Sequence, residues 1–378
     1  MFRAFSGLNG EDGGLMGETR VCIDATPLLL RSAGVKTYVY YWTEALRLEG
    51  GANSIELFPM LAPPGEVVHE QSVLNRPATM ARLAWLHLAN TLPVPLLNGV
   101  GAGVSVFHAS HQLLRPPTNT RVTATIYDMT CWLVPQFHSP ANVRMAKKFA
   151  ASVMRRADGL IAISESTKND AVRILKLDPR RVTVIYPGVA ESFFCAQPLQ
   201  RAKPYILFVG TIEPRKNVAT LLDAYERLRP ELREAFDLVL AGSPGWGDPS
   251  VLARIRQGIR GVDYLGYVPE ERLPALTAGA SVFVYPSVYE GFGLPVAQAM
   301  AAGIPVVTSA VSSLPEIAGA GAVAVDPGSP AELASAMAQL LESDSLRESL
   351  GANGRSIAQQ YRWDCCARKS WELFRSLV

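Results

Sequence analysis

Residues 280–310, ASVFVYPSVYEGFGLPVAQAMAAGIPVVTSA, decide the fold. ASVFVYPS is a short apolar run rich in β-branched and aromatic residues, the pattern of a strand covered on both faces. Residues 295–302 read as a helix with Pro295 in its first turn, where the missing N–H would be unpaired anyway. IPVVTSA then returns as another strand. Strand, helix, strand with no hairpin turn is a parallel βαβ unit.

Working outward, the unit repeats. Upstream lie the strand YILFVG, a helix over 217–229, DLVLAGSPG, a helix over 249–260, VDYLGYV and a helix over 270–279. The first half of the chain has the same rhythm: RVCIDATPLLL, a helix over 34–48, SIELFPML, VSVFHAS, RVTATIYD, a helix over 141–156, GLIAIS and RVTVIYPG. CAQPLQRAKP, residues 195–204, has no periodicity and two prolines, which marks a boundary. The expected architecture is therefore α/β, with two Rossmann-like doubly wound parallel-sheet domains, 18–198 and 203–362, facing a cleft. The last helix, within 363–378, is expected to cross back to the first domain. Glycine-rich residues 1–17 read as a loose tail, with Met16 a plausible natural start.

Composition limits the function. A chain of 378 residues with 48% hydrophobic and 19% charged residues can build two cores. With 36 basic against 34 acidic residues, the net charge of +2 gives no reason to expect nucleic acid. Five cysteines, an odd number without metal-ligand spacing, fit a reducing cytoplasm. No run of 18 apolar residues and no signal peptide is apparent. A phosphate-binding Gly-x-x-x-x-Gly-Lys loop, a Gly-x-Gly-x-x-Gly fingerprint after the first strand and a metal-binding Asp-x-Asp are all missing from the sequence, which weakens kinase, dehydrogenase and metal-dependent transferase readings.

Ligands of open parallel sheets sit beyond the carboxyl ends of the strands. After ASVFVYPS comes Tyr289-Glu290-Gly291-Phe292-Gly293-Leu294-Pro295, a turn whose free first-turn N–H groups suit anionic or hydroxyl-rich ligands. After YILFVG comes Gly210-Thr211-Ile212-Glu213-Pro214-Arg215-Lys216, two cations at a helix start, where the helix dipole favours acids instead. Cations against that preference point to an anionic ligand.

These segments resemble the retaining glycosyltransferases of family 4, which share the two-domain GT-B fold. The resemblance rests on FVGTIEPRKN (208–217), LGYVPEERLPAL (265–276) and YPSVYEGFGLPVAQAMAAGIPVVTSAVSSLPEIAG (285–319), and is diffuse over the first half of the chain. It implies a hexose, guessed as mannose from GDP-mannose, moved from a nucleoside diphosphate sugar to a hydroxyl acceptor without a metal or other cofactor. The family's donor motif has a Glu, seven residues, and a second Glu on the ribose. Here the first is Glu290 and the second position holds Gln298, which loses a charge-assisted hydrogen bond worth about 1 kcal/mol.

The resemblance makes Arg215 and Lys216 the clamp for the leaving diphosphate, whose negative charge grows in the transition state. It places Gly34, Gly210, Thr211, Glu290, Gly291, Phe292, Gly293, Leu294 and Gln298 on the donor, with Tyr267 and Val268 near its base. Tyr127 stands where relatives commonly have histidine, followed by Asp128. A phenol with a pKa of about 10 can donate a hydrogen bond but is a poor base at neutral pH. In this mechanism the departing phosphate oxygen takes the acceptor's proton. Lys36, His108 and His111 are expected on the acceptor side.

Arg144, Lys147, Lys148 and Arg155 form a basic stripe at helical spacing, and apolar residues 81–99 carry Trp85. Together they suggest a lipid-linked glycan acceptor and contact with the inner face of a membrane. Two alternatives remain at this stage: a catalytically silent sugar-nucleotide binder, motivated by Tyr127 and Gln298, and a sugar-nucleotide epimerase.

Overall fold

A computed structural model describes residues 19–30, 34–59, 72–92, 94, 96–110, 112–245 and 249–378. The expected tail and His111 lie outside the described residues.

The first domain holds six parallel strands: β1 (Val21–Asp24), β2 (Ile55–Phe58), β3 (Val106–Ala109), β4 (Arg121–Ile126), β5 (Gly159–Ala162) and β6 (Val182–Val184), in the order β2-β1-β3-β4-β5-β6. The second has β7 (Tyr205–Val209), β8 (Asp237–Ala241), β9 (Val262–Gly266), β10 (Val282–Tyr285), β11 (Val306–Ser309) and β12 (Ala322–Val325), in the order β12-β11-β10-β7-β8-β9. Central strands β1, β3, β5 and β10 are buried along their whole length. Helices cover both faces, which is why these strands read as continuous apolar runs.

The strand expected over 20–30 is shorter. It ends at Asp24, and Thr26–Leu29 form a 3-10 turn with proline in its first turn. The helix expected over 141–156 is Pro140–Phe149, followed by a π-helical turn, Ala150–Met154. That turn inserts an extra residue per turn, so Arg155 falls out of phase with Arg144, Lys147 and Lys148.

The last helix, Trp363–Ser376, packs on the first helix of the chain, Gly34–Gly50. Trp42 donates its indole N–H to Ser370 Oγ at 3.0 Å, and Trp371 donates to the Leu46 carbonyl at 3.0 Å. The chain therefore crosses between the domains twice, and the crossings flank the crevice between them. Strand order reverses between β1 and β3 in one sheet and between β7 and β10 in the other. Such switch points leave room for a ligand at the strand ends, and they position the site.

Candidate active site

Tyr285 ends β10 and Val209 ends β7, so the segments that follow, 286–294 and 210–217, emerge side by side at the second domain's switch point. Their charged side chains meet. Lys216 Nζ lies 2.6 Å from Glu290 Oε1, and Arg215 Nη1 lies 2.8 Å from Glu290 Oε2. Arg215 Nη2 also binds Glu213 at 2.7 Å. Ser287 Oγ and the Tyr285 hydroxyl donate to Glu290 Oε1 at 2.7 and 3.0 Å, and Lys216 Nζ also contacts that phenol. The side chains of Arg215, Lys216 and Glu290 keep 17%, 12% and 10% exposure, enough to meet a ligand but not bulk water.

The electrostatics follow from this geometry. Burial alone would raise the Glu290 carboxyl, but the Lys216 and Arg215 charges outweigh it and hold it down to about 2. Burial lowers Lys216 and its neighbour Arg215 adds to that, while Glu290 opposes both. Arg215, despite burial, is raised by Glu290 and Glu213. Two cations are thus matched by two carboxylates. An incoming diphosphate would exchange for carboxylate at groups already desolvated and oriented.

The backbone of this loop makes the interdomain contact. A Cβ on Gly291 would lie 1.8 Å from the Tyr127 carbonyl oxygen, so only glycine lets the two loops approach this closely. Gly293, at φ +93, turns the chain into the helix Leu294–Ala301. The Gly291 carbonyl accepts from Ser164 Oγ at 2.6 Å and Thr167 Oγ1 at 3.0 Å, both at the start of the helix Glu165–Leu175 in the first domain. The Glu316 carboxylate accepts the N–H groups of Glu165 and Ser166 at 2.7 and 2.9 Å, and the Tyr289 hydroxyl donates to Asp170 at 2.8 Å. Ser312 and Ser313 fix the Glu290 backbone from the other side.

A crevice of about 390 Å³ opens over this cluster. Of the residues expected on the donor, Gly34, Gly210, Thr211, Arg215, Lys216, Glu290, Gly291, Phe292, Gly293, Leu294 and Gln298 line it, as do Tyr127 and Asp128. Asp128 Oδ1 accepts from the Thr130 N–H and hydroxyl at 3.0 and 2.6 Å. The Tyr127 ring packs edge-on against Tyr38 at 5.3 Å, and burial pushes its phenol up, further from service as a base.

Tyr267 and Val268 follow β9, an edge strand two removed from the switch point, and are not among the crevice-lining residues. Two other expectations are corrected. His108 is buried under Trp42, with its ring nitrogens 2.9 and 3.0 Å from the Thr123 and Thr125 hydroxyls. Burial holds it neutral, down to about 3, so it is a core side chain. Lys36 is fully buried and donates to the Leu30 carbonyl at 3.0 Å, whereas its helix neighbours Val35, Thr37 and Tyr38 reach the crevice.

Sequence reasoning left Glu213, Tyr285 and Ser287 without a role. Their signal was present: Glu213 stands two residues before Arg215 and Ser287 three before Glu290, each at a strand end. Glu270, Leu273, Ile163, Pro187 and Trp363 also line the crevice, and no local motif marks them.

The chain is similar to known proteins over most of its length. The family described as "Glycosyl transferases group 1" matches residues 191–357, and "Glycosyltransferase Family 4" matches residues 32–193. The O-antigen chain mannosyltransferase B of Escherichia coli is 33% identical over 284 residues, covering 72% of this chain and 74% of that protein. A D-inositol 3-phosphate glycosyltransferase of Nocardioides sp. is 30% identical, covering 65% of this chain and 62% of the relative. Among solved structures, sucrose-phosphate synthase from Thermosynechococcus elongatus superposes with a TM-score of 0.73 at 22% identity, covering 95% of this chain and 99% of the other. WaaG, a glycosyltransferase involved in lipopolysaccharide biosynthesis, superposes with a TM-score of 0.62 at 17% identity, covering 94% and 99%. These likenesses support the two-domain α/β GT-B fold.

Proposed function

Since the chain belongs to the family 4 glycosyltransferases and is mannosyltransferase-like, we propose that it is a retaining, metal-independent hexosyltransferase using a nucleoside diphosphate sugar, with GDP-mannose the first donor to test. The observation that carries this reading is the meeting of Arg215, Lys216 and Glu290 on the crevice floor at the switch point. The mannosyltransferase relative supports mannose as the sugar.

In this mechanism Arg215 and Lys216 turn from Glu290 toward the diphosphate and take up the charge that grows as the anomeric bond breaks. Glu290, released on one side, accepts hydrogen bonds from the donor sugar. The Gly291 loop and Tyr127 close over the sugar and keep water from intercepting it. Gln298, in the second turn of the helix Leu294–Ala301, donates to or accepts from a ribose hydroxyl.

Melting temperature in the presence of GDP-mannose, GDP, UDP-glucose and UDP tests the donor, since a ligand bound only by the folded state raises it. The reading expects the largest shift with the guanosine compounds, release of GDP with acceptor, and a rate unaltered by a chelator. A shift without turnover on any mannoside would favour the silent binder, and an isomerised donor the epimerase.

We further infer a lipid-linked glycan as acceptor and contact with an anionic membrane surface. Support comes from exposed Arg144, Lys147 and Lys148 on one helix, and from exposed Leu88 and Leu92 on and just after another. No helix among the described residues is long and apolar enough to cross a membrane.

A further inference from the structure

Residues 312–317, which follow β11, touch three separate parts of the molecule. At one end the Glu290 N–H donates to Ser312 Oγ at 2.9 Å, and the Ser313 hydroxyl donates to the Glu290 carbonyl at 3.0 Å. In the middle the Glu316 carboxylate accepts the N–H groups of Glu165 and Ser166, which open a helix of the first domain. At the other end the Ile317 carbonyl accepts from the Tyr361 hydroxyl at 3.0 Å, two residues before the last helix begins. We propose that Glu316 is a positioning residue: its grip on the first domain is relayed through residues 312–317 to the backbone of Glu290, so that Glu290 takes its working orientation only while the domains are closed. The proposal deepens the transferase reading and rests on it.

The grip itself is the first argument. A carboxylate on two adjacent first-turn N–H groups forms charge-assisted hydrogen bonds and meets the positive end of the helix dipole. The helix's own cap, Ser164 Oγ, takes the Thr167 N–H at 3.0 Å, so the Glu165 and Ser166 N–H groups are left for Glu316. The Tyr186 phenol, just after β6 in the first domain, adds a hydrogen bond to the same carboxylate. Opening the domains would strip all of these groups of their partners at once.

Stiffness of the relay is the second. Ser313 caps the short helix Leu314–Ala318, which carries Glu316 in its first turn, so the two move together. Ser312 sits at φ +54, a left-handed conformation that a residue other than glycine keeps only when its surroundings fix it. Between them the two serines hold both the N–H and the carbonyl of Glu290, so a rotation of the short helix turns the peptide groups on either side of that residue. The hinge side is packed as well: the Tyr361 ring meets Tyr186 edge-on at 5.4 Å and Phe292, two residues after Glu290, at 5.3 Å.

Amide exchange and kinetics test the relay. In the ligand-free protein, Glu316→Ala should speed hydrogen exchange of the Glu290 amide about tenfold, a readout that needs no turnover. With GDP-mannose and 4-nitrophenyl α-D-mannoside, kcat should fall about tenfold or more while the donor Kd changes by less than about threefold. Glu316→Gln, which keeps one acceptor oxygen, should recover part of that loss. Ser312→Gly tolerates the positive φ and removes the hydroxyl, and should lower kcat to a similar extent. Combined with Glu316→Ala it should add little, because both changes cut the same chain of contacts. An unaltered Glu290 exchange rate, or losses in kcat that multiply fully in the double variant, would overturn the proposal. Failure of the transferase reading would look different: neither GDP-mannose nor UDP-glucose would change the melting temperature of the unmodified protein, and the exchange comparison would still decide whether the relay exists.

Discussion

Each sheet has a carboxylate at its switch point, and the two are built differently. In the first domain Asp24, at the end of β1, accepts from the Ser110 N–H beyond β3 at 3.2 Å and from the Thr26 N–H at 3.1 Å, with both hydroxyls adding further bonds. Every donor among the described residues is neutral. Burial therefore prevails and pushes the Asp24 carboxyl up from its ordinary value. In the second domain Glu290 is also buried, but faces two cations and is held down to about 2. The first arrangement joins two strand ends. The second holds cations that a more strongly charged ligand can take over. Burial of a carboxylate at a switch point does not by itself make a ligand site; its partners decide.

The comparison can be broken most easily at Lys216. Lys216→Ala should lower kcat by about two to three orders of magnitude, the usual cost of removing a group that meets transition-state charge. Turnover within a fewfold of the unmodified protein would leave the second switch point no more catalytic than the first. Gly291→Ala comes next. Its methyl must push the loop from the Tyr127 carbonyl, and a shift of about 1 Å costs on the order of a hundredfold in rate. Donor affinity should fall much less, so paired kcat and binding measurements separate closure from recognition.

Asp24→Asn should act on stability instead. The amide offers one oxygen where two carboxylate oxygens now accept, and a loss of about 1–3 kcal/mol in denaturant unfolding is expected. Retention of full stability would mean that the first switch point is not held by these bonds.

Acid unfolding sharpens the contrast through its sign. Glu290 is lowered from 4.5 to about 2, so its contribution is complete above 4.5 and is lost as pH falls from there toward 2. Asp24 is raised, so the fold favours its protonated form and its ionisation works against stability as pH rises from 3.8. In a melting-temperature series against pH, Glu290→Gln should flatten the acid limb, and Asp24→Asn should steepen it by removing the opposing contribution. The same slope in both variants would contradict the assignment of opposite environments. The smallest effect is expected at Lys148→Glu, exposed and outside the crevice lining: stability within about 0.5 kcal/mol, with weaker co-sedimentation on anionic vesicles.

The cation cluster was legible because its members sit on two contiguous segments, 210–217 and 285–298, each directly after a strand. Adjacent strands bring such segments together whenever the sheet is parallel. Tyr127, Asp128 and Gly34 apart, the first domain's share was not legible for the converse reason: Val35 lies in the first turn of a helix, Ile163 and Pro187 follow β5 and β6, and the three have no common spacing. His108 shows the limit of searching near strand ends, since it lies inside β3 and its side chain alternates onto the face covered by Trp42 and Phe374. Lys36 shows the same for a helix, where neighbours one residue apart face different ways.

Residue order alone determined the two doubly wound domains and the family, because alternating apolar runs and helices, turn glycines and motif spacing are local properties. Tertiary structure decided which carboxylate faces cations and which faces hydroxyls, and where the two domains touch through Gly291 and Glu316. Those outcomes depend on which strands become neighbours and which side chains lose water together, and distance along the chain carries neither.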